Sequence, residues 1–440
     1  MVNALGDTLA VHELYGLLGP SANYFCRACL ITRQDLHNGH FGDIFPHRTV
    51  QSVQDDLEAI ENMEKTVSQC GIKQKCVLHE LRYFRWPNNH VFDPMHDLLE
   101  GIVPMIIKKV LSFAVNDIKS LTVNEVNKMI DEFDYGETEI RDKPSPNFTV
   151  KSLKSKTNAI SQSASQSWLL MRSFPFIFHH ILESNSGLRN IVGSLLKICF
   201  ISFSSKLSPE LIEDLDDAVV TFHDLFKEIF SDCKAINKIH HVAHYPQVCK
   251  ENGPIYFFSC MQYESKFKES KGQAKTCGNF KKFTLSLTKR LALKQAYKII
   301  NHVYEINEIT IISFSMQEKS VIDTSGLLFD MPNQIKIISQ FKINSIEFRP
   351  GFVVKYENCN EYFYGILLYT IEFDYNTSCI IQELDLCELD HKILSYKVAV
   401  TQNILRIDVK KLFTRKVYSL WQFYKKDDEY LYLSLKYDDE

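Results

Sequence analysis

The sequence predicts an α+β protein in which a long helical region precedes a small antiparallel β domain. Apolar side chains recur at helical spacing through much of 50–85, 166–204 and 208–235. From about residue 340 the chain becomes rich in β-branched and aromatic residues, with turns at Asn and Gly. This change of pattern predicts a separate β domain over 340–440, and the sequence contains no internal repeat.

The composition is that of a globular protein in a reducing compartment. The 440 residues allow two or three domains, and the net charge of −4 excludes a polycation, so any contact with nucleic acid must use local basic patches. The 12 cysteines are spread along the chain without a small disulfide framework. The first residues do not resemble a signal peptide, and the most apolar stretch, 191–203, is too short to span a bilayer. We therefore expect an intracellular protein without a membrane partner.

The sequence predicts a well-defined helix at 93–113. Asp93 suits its N-cap and Pro104 predicts a kink within it. His96 lies in the first turn of the same helix, where supporting that turn is its simplest role. Further along, 136–165 is rich in Ser, Lys, Thr and Pro, which predicts a mobile loop.

Two cysteines and two histidines form the strongest candidate site. Cys26 and Cys29 have the spacing Cys-x-x-Cys, a tight turn that directs two thiolates to one point, as tetrahedral zinc requires. His240 and His244 are four residues apart and share a helix face, so their imidazoles can complete a Cys₂His₂ set. Two alternatives stay open: unrelated core cysteines with surface histidines, and a redox dithiol. The βαβ context of a redox protein is missing.

Two carboxylates are candidates for chemistry on a further metal ion. Asp7 lies within 1–30, where we expect a short strand, a loop and the cysteine turn. Glu264 is expected on a helix face that is otherwise apolar, where a carboxylate needs a partner such as a metal ion. The simpler alternatives are a turn residue for Asp7 and an ion pair with Lys268 for Glu264.

Five blocks of the sequence together resemble the CACTA-type (EnSpm/Plavaka-like) DNA transposases. The blocks occur in the order of that family within residues 1–300. The wider layout is similar to that of Transib transposases and of the catalytic subunit of the V(D)J recombinase. The five blocks are GDTLAVHELYGLLGPSANYFCRAC, FDPMHDLLEGIVP, SQSASQSWLLMRSFPFI, KIHHVAHYP and GPIYFFSCMQYESKFK.

The resemblance implies a domain organisation. These transposases have an RNase H-like core with Asp, Asp and Glu as metal ligands, and a Cys₂His₂ zinc site that holds a large helical insertion to the core. By resemblance, a partial RNase H-like core with a zinc knuckle is expected at 1–30, the insertion at 31–235, the histidine pair and the catalytic-Glu helix at 236–305, and the β domain at 340–440.

The resemblance also assigns roles to single residues. Asp7 matches the second catalytic Asp and Glu264 the catalytic Glu, which would hold Mg²⁺ or Mn²⁺ for phosphoryl transfer on DNA. His241 is less favoured than His240 as a zinc ligand. The structural zinc ligands implied by the family are Cys26, Cys29, His240 and His244. Asp93 and His96 match an Asp-x-x-His block that we expect to be structural.

The first catalytic Asp of the family has no match, because Asp7 lies so close to the first residue. We therefore expect an N-terminally truncated transposase that does not cleave DNA as it stands. The family works on paired transposon ends, which implies DNA as a partner and a nuclear location, and allows a homodimer. The alternative is a zinc-stabilised scaffold without DNA chemistry. Steeply salt-dependent binding to a DNA duplex would separate the two.

A basic cluster follows Glu264 and predicts a DNA-binding surface. Its side chains could neutralise phosphates near the two acids, although a solvated helical surface explains the same charges equally well. The candidate residues are Lys266, Lys268, Lys271, Lys281, Lys282 and Arg290.

Overall fold

Helices dominate the chain up to residue 300, and an antiparallel sheet follows. The computed structural model describes residues 3–277, 282–300, 309–323, 326–343, 346–374, 376–413, 417–425 and 428–434. Two units can be distinguished: unit 1 comprises the described residues of 1–133 and 142–266, and unit 2 those of 134–141 and 267–435. Within the described ranges, no helix combines the length and the apolar character that crossing a bilayer requires. The mixed α+β class agrees with the prediction.

Several of the helices begin at a Ser or Thr whose side chain caps the first turn. Thr49, Thr122 and Ser163 each accept a hydrogen bond from the backbone N–H three residues later. The α-helices are α1 Thr8–Tyr15, α2 Arg33–His37, α3 Val50–Glu61, α4 Val67–Cys70, α5 Val103–Ser112, α6 Val123–Glu132, α7 Val150–Lys154, α8 Ala164–Ile177, α9 His179–Ser184, α10 Ser186–Ser202, α11 Pro209–Ile229, α12 Asn237–His241, α13 Tyr245–Asn252, α14 Met261–Cys277, α15 Phe283–Ile300 and α16 Lys319–Ile322.

The first helix, α1, stands where the sequence predicted a strand. Asp7 caps it, because Oδ1 accepts a hydrogen bond from the Ala10 N–H at 2.8 Å. The helix ends at Gly16, whose φ of 73° lies in the left-handed region. A Cβ at Gly16 would meet the Gln74 carbonyl oxygen at 2.1 Å, so only glycine fits this close approach. Capping at both ends makes a helix the favoured local structure, and the predicted strand is wrong.

Near the cysteine turn, β pairing is limited to isolated bridges between single residues. Within residues 3–133 and 142–266 the structure contains no extended strand. The RNase H-like core expected at 1–30 is therefore not present there as a sheet, and it stays a prediction about ancestry. The β contacts in this part of the chain are isolated bridges, which pair Leu17 with Ile72, Tyr24 with Thr32, and Cys29 with His47.

A continuous helix from Met95 to Asp117 contains the segment predicted at 93–113. It consists of α5 flanked by two π-helical turns, Met95–Ile102 and Phe113–Asp117. Most of its side chains are buried, and they lie on every face of the helix, which is typical of a helix enclosed by other helices. Asp93 Oδ1 accepts a hydrogen bond from the Met95 N–H at 3.0 Å, which is the capping role that the sequence predicted.

This helix continues through Pro104. Proline lacks an N–H, and the segment before it, Met95–Ile102, is π-helical, with backbone bonds between residues five apart. The Lys238 ammonium donates to the Glu100 carbonyl at 3.4 Å and to the His96 carbonyl at 2.5 Å. Gly101 permits this approach, since a Cβ there would lie 2.3 Å from the Lys238 side chain. Lys238 thereby attaches α12 to the long helix.

The helices predicted over 166–204 and 208–235 are present as α8 to α10 and as α11. The apolar stripe predicted on α11 is buried at Leu215, Val219 and Phe222. The segment 136–165, predicted as a loop, contains the short helix α7. The periodic patterns of the helical region are thus confirmed.

Unit 2 is built on a curled antiparallel sheet. Its strand order is β1-β2-β5-β6-β7-β9-β8, with β3 beside β2 and β4 beside β5. The sheet begins earlier in the chain than the predicted residue 340. The described strands are β1 Thr310–Glu318, β2 Gln334–Ile343, β3 Ile346–Phe348, β4 Val353–Asn358, β5 Glu361–Phe373, β6 Asn376–Asp390, β7 Ser395–Asp408, β8 Leu420–Lys425 and β9 Asp428–Ser434.

The curl of the sheet encloses apolar side chains. Phe341, Leu367 and Ile381 are buried in one core cluster. Val353 on β4 exchanges both backbone hydrogen bonds with Tyr418, at 3.1 and 2.9 Å, which brings β4 to the segment before β8. The β-branched and aromatic residues that predicted this domain therefore supply the buried core of the sheet.

Candidate metal centre

Four side chains from two distant segments meet inside unit 1. Cys26 and Cys29 lie on the turn after α1, His240 lies on α12, and His244 lies at the end of the following helical turn. All four side chains are buried, and their donor atoms lie within 4.8 Å of one another. The structure thus brings together the four residues that the sequence grouped.

The distances between donor atoms suit a tetrahedral metal ion. Cys26 Sγ lies 3.4 Å from His244 Nε2, Cys29 Sγ lies 3.2 Å from His240 Nε2, and the two Nε2 atoms are 3.0 Å apart. Bond lengths of about 2.3 Å for zinc–sulfur and about 2.0 Å for zinc–nitrogen separate tetrahedral donors by about 3.3–3.8 Å. The cluster could therefore hold a metal ion such as zinc after small shifts of its side chains.

Neighbouring groups fix the orientation of both imidazole rings. His240 Nδ1 lies 2.8 Å from the Phe41 carbonyl oxygen, which can only accept, so Nδ1 carries the proton and Nε2 offers its lone pair to the cluster. The Phe92 ring stacks on the His244 ring with 5.5 Å between centroids and 1° between planes. Both rings are therefore held in place by the protein itself.

The surroundings of the cysteine turn favour a thiolate at Cys26. The Ala28 N–H donates to Cys26 Sγ at 3.3 Å, and Arg48 Nε donates to the Cys26 carbonyl at 3.0 Å. Burial raises the pKa of the Cys26 thiol, but the hydrogen bond from Cys29 and the two ligand histidines outweigh it and hold the pKa well below its usual value. The pKa of Cys29 is raised by its hydrogen bond to Cys26 and by burial. A second thiolate therefore requires the charge of a bound cation.

A buried polar network lies directly behind the cluster. His241, between the two ligand histidines, faces away from the cysteines, and its Nδ1 lies 3.0 Å from Asp97 Oδ1. Asp97 Oδ2 accepts a hydrogen bond from the Tyr245 hydroxyl at 3.4 Å. Arg27, within the cysteine turn, is 1% exposed and lies 4.6 Å above the Phe92 ring. Burial raises the pKa of Asp97, but His241 and Arg27 outweigh it and hold the pKa below its usual value.

A second cluster surrounds Asp93, which the sequence assigned a structural role. Asp93 Oδ1 accepts hydrogen bonds from the N–H groups of Met95 and Cys260, both at 3.0 Å, and Oδ2 accepts one from His96 Nδ1. This last bond raises the pKa of His96. His96 Nε2 faces Glu264 Oε1 at 3.5 Å. Asp93 therefore joins the start of the long helix to the start of α14, with both oxygens engaged by donors.

The charges of the two candidate catalytic acids influence one buried thiol. Burial raises the pKa of Cys260 to about 12, with further contributions from the negative charges of Asp93, Glu264 and Asp7. The Glu264 side chain is 53% exposed, so it is not enclosed by the apolar face on which the sequence placed it.

The cap of α1 gives a prediction for Asp7. Replacing Asp7 with Ala leaves the Ala10 N–H without its acceptor, so Asp7→Ala should lower the free energy of unfolding by about 1 kcal/mol. Asp7→Asn keeps an acceptor oxygen and should retain most of the stability. Urea unfolding of the two variants checks this, and an equal loss in both would contradict a capping role.

The predicted DNA-binding residues lie on exposed positions of two helices and the turn before the second. Lys268 and Lys271 are three residues apart on α14, so they share a helix face. Lys281 lies outside the described residues. The other candidates that the structure describes, all exposed, are Lys266, Lys282 and Arg290.

Comparison with models of known protein families finds no match to this chain, and comparison with curated proteins finds none either. The metal cluster, the two acids and the basic residues are therefore interpreted from their own geometry and chemistry.

Proposed function

We propose that this chain derives from a CACTA-type DNA transposase and acts as a zinc-stabilised DNA-binding protein. The observation that supports the proposal best is the meeting of Cys26 and Cys29 with His240 and His244. This ligand set joins the same two segments that the resemblance pairs. In that family the zinc site holds a helical insertion to an RNase H-like core, and we propose this ancestry for the segment 1–30.

Zinc is the ion that we propose for the cluster. Two thiolates and two imidazoles in a tetrahedral set are typical of structural zinc sites. All four ligands come from the protein, which leaves no coordination position for substrate. We therefore assign the zinc to stability and not to catalysis.

Asp7 and Glu264 are the acids proposed to hold Mg²⁺ or Mn²⁺. Carboxylate oxygens are the ligands that these hard cations prefer, and the resemblance assigns both residues to the catalytic set. The family uses three acids, and the resemblance assigns only two of them to residues of this chain. We therefore propose DNA binding without strand cleavage by this chain alone. Metal-dependent nicking that is lost in Asp7→Asn, which keeps the helix cap, and in Glu264→Gln would overturn this part.

DNA is the proposed partner, and the exposed lysines of α14 are proposed to contact its phosphates. Each neutralised phosphate releases counterions, so the logarithm of the binding constant falls with the logarithm of salt concentration by about 0.9 per contact. We expect duplex binding at low salt with a steep slope. A nuclear location and assembly as a homodimer on paired DNA ends belong to the same proposal.

Charge reversal on α14 tests the DNA contact. Lys268→Glu with Lys271→Glu should weaken duplex binding and reduce the salt slope by about 2, since two phosphate contacts are lost. The matched control is Lys151→Glu with Lys154→Glu, two exposed lysines with the same spacing on α7. Fluorescence anisotropy over a salt series measures the affinity and the salt slope of both double variants. Equal weakening by the two double variants would argue against α14 as the contact surface.

A second candidate function is a scaffold for protein interactions. One observation favours it: Ile312, Phe314 and Met316 project as exposed apolar side chains from one face of β1. Such a stripe is typical of an interaction surface. A chain that binds zinc but shows no salt-dependent affinity for DNA would favour this candidate over the first.

A further inference from the structure

A cavity of about 600 Å³ lies beside the metal cluster. Three of the four cluster residues, Cys29, His240 and His244, form part of its lining. Two further histidines, His47 and His90, line the same cavity. The cluster is therefore buried in the protein, but one of its sides faces a space that water can enter.

The two additional histidines differ in their exposure to solvent. His47 is exposed, its backbone pairs with Cys29, and its ring centroid lies 6.0 Å from that of His244. His90 is half-buried, and its Nδ1 donates to the Pro87 carbonyl at 2.6 Å, so Nε2 carries a lone pair. The imidazoles that line the cavity therefore differ in depth, because exposure falls from His47 through His90 to His244, which is 9% exposed.

The charges around the cavity favour a cation. Three carboxylates line it, those of Asp43, Asp216 and Glu251, against one guanidinium, that of Arg48. The Arg48 Nε and Nη1 groups are turned to backbone carbonyls, at 3.0 Å each. A lining with this charge balance attracts divalent cations and repels phosphate groups.

We propose that this cavity is the path by which zinc enters and leaves the buried cluster, with His47 and His90 as transient ligands. The inference rests on the proposed function, because it takes zinc as the resident ion. A hydrated ion cannot lose all its waters at once without a large penalty. Each imidazole on the path replaces one zinc–water bond by one zinc–nitrogen bond, and the water returns to solvent, so the coordination number is kept throughout.

Zinc transfer from the full-length chain to a chromophoric chelator tests the path. The chain is purified with zinc, mixed with saturating chelator, and followed by absorbance. His47→Ala combined with His90→Gln should slow zinc release by about tenfold. Transient ligands accelerate entry and exit equally, so the equilibrium affinity for zinc should stay unchanged. The control is His37→Ala, an exposed histidine on α2 outside the cavity lining, which should release zinc at the wild-type rate.

Three outcomes would overturn the inference. Faster release with lower affinity in the double variant would show that His47 and His90 only support the cluster. Equal release rates in the wild type and the double variant would show that zinc takes another route. A wild-type chain that purifies without zinc would refute the proposed metal itself and the path with it, which distinguishes this failure from the first two.

Discussion

Replacing Cys26 with Ser should abolish zinc binding and strongly destabilise unit 1. Cys26 is the buried thiol whose pKa is held well below its usual value, so it is the ligand best prepared to bind as a thiolate. Structural zinc sites contribute about 10–16 kcal/mol in small zinc fingers, which is comparable to the whole stability of a domain. A net loss of about 5 kcal/mol in a unit of this size would lower its melting temperature by about 10–20 °C.

Elemental analysis and calorimetry measure the two parts of this prediction. The wild-type chain, purified under reducing conditions, should contain one zinc per chain, and Cys26→Ser should contain none. The control is Cys70→Ser, because Cys70 is also buried in unit 1 but lies outside the cluster. Removal of zinc from the wild type with a chelator should reproduce the destabilisation. A Cys26→Ser chain that keeps both its zinc and its melting temperature would refute the metal centre.

The meeting of Cys26 and Cys29 with His240 and His244 could be predicted from the sequence because metal chemistry restricts both residue type and spacing. A thiol pair separated by two residues and an imidazole pair separated by one helical turn are uncommon patterns. Helices with a regular apolar stripe, such as α11, were predictable for a similar reason, since burial on one face imposes a period. The sheet was predictable from its content of β-branched and aromatic residues. Asp7 and Gly16 were informative as well, because a cap at each end of α1 favours a helix over the predicted strand.

The network behind the ligands could not be predicted in the same way. Tertiary packing brings together Arg27, Asp97 and His241. The spacing of residues in the sequence does not indicate which buried charges will lie side by side. Lys238 is a similar case. Its ammonium, on α12, donates to backbone carbonyls of the long helix, a contact between segments far apart in the sequence. Buried polar pairs of this kind become visible only with the fold.

The network connects the four cluster residues to the surrounding helices. Arg27 lies between the two cysteines, and His241 lies between the two histidines, so each ligand pair encloses one member of the network. Asp97 follows His96 on the long helix and holds His241 through a hydrogen bond. The same helix begins at Asp93, which fixes the turn before Glu264. The long helix therefore contacts both the segment of the two cluster histidines and the turn before the candidate acid.

Asp97→Asn should be the most destabilising single substitution away from the metal ligands. It removes the carboxylate that faces the buried His241 ring at 3.0 Å and offsets the buried Arg27 charge, and removing one partner of a buried pair costs about 3–5 kcal/mol. The pKa of Asp97 is held below its usual value, so its contribution to stability is present above the unfolded pKa of about 4 and is lost as the pH falls through the lower folded value. The difference in free energy of unfolding between the wild type and Asp97→Asn should thus be largest at pH 7 and decrease below about pH 4.

Urea unfolding at pH 7 and at pH 3 to 4 measures this difference, with zinc content determined on the same samples. Asp224→Asn, an exposed position on α11, is the matched control and should change stability by less than about 0.5 kcal/mol. Adding Arg27→Met to Asp97→Asn removes the uncompensated cation and keeps an apolar side chain over Phe92, so the double variant should recover part of the loss. A double variant whose destabilisation is the simple sum of the two single ones would show that Arg27 and Asp97 act independently, and the network would then consist of the His241–Asp97–Tyr245 contacts alone.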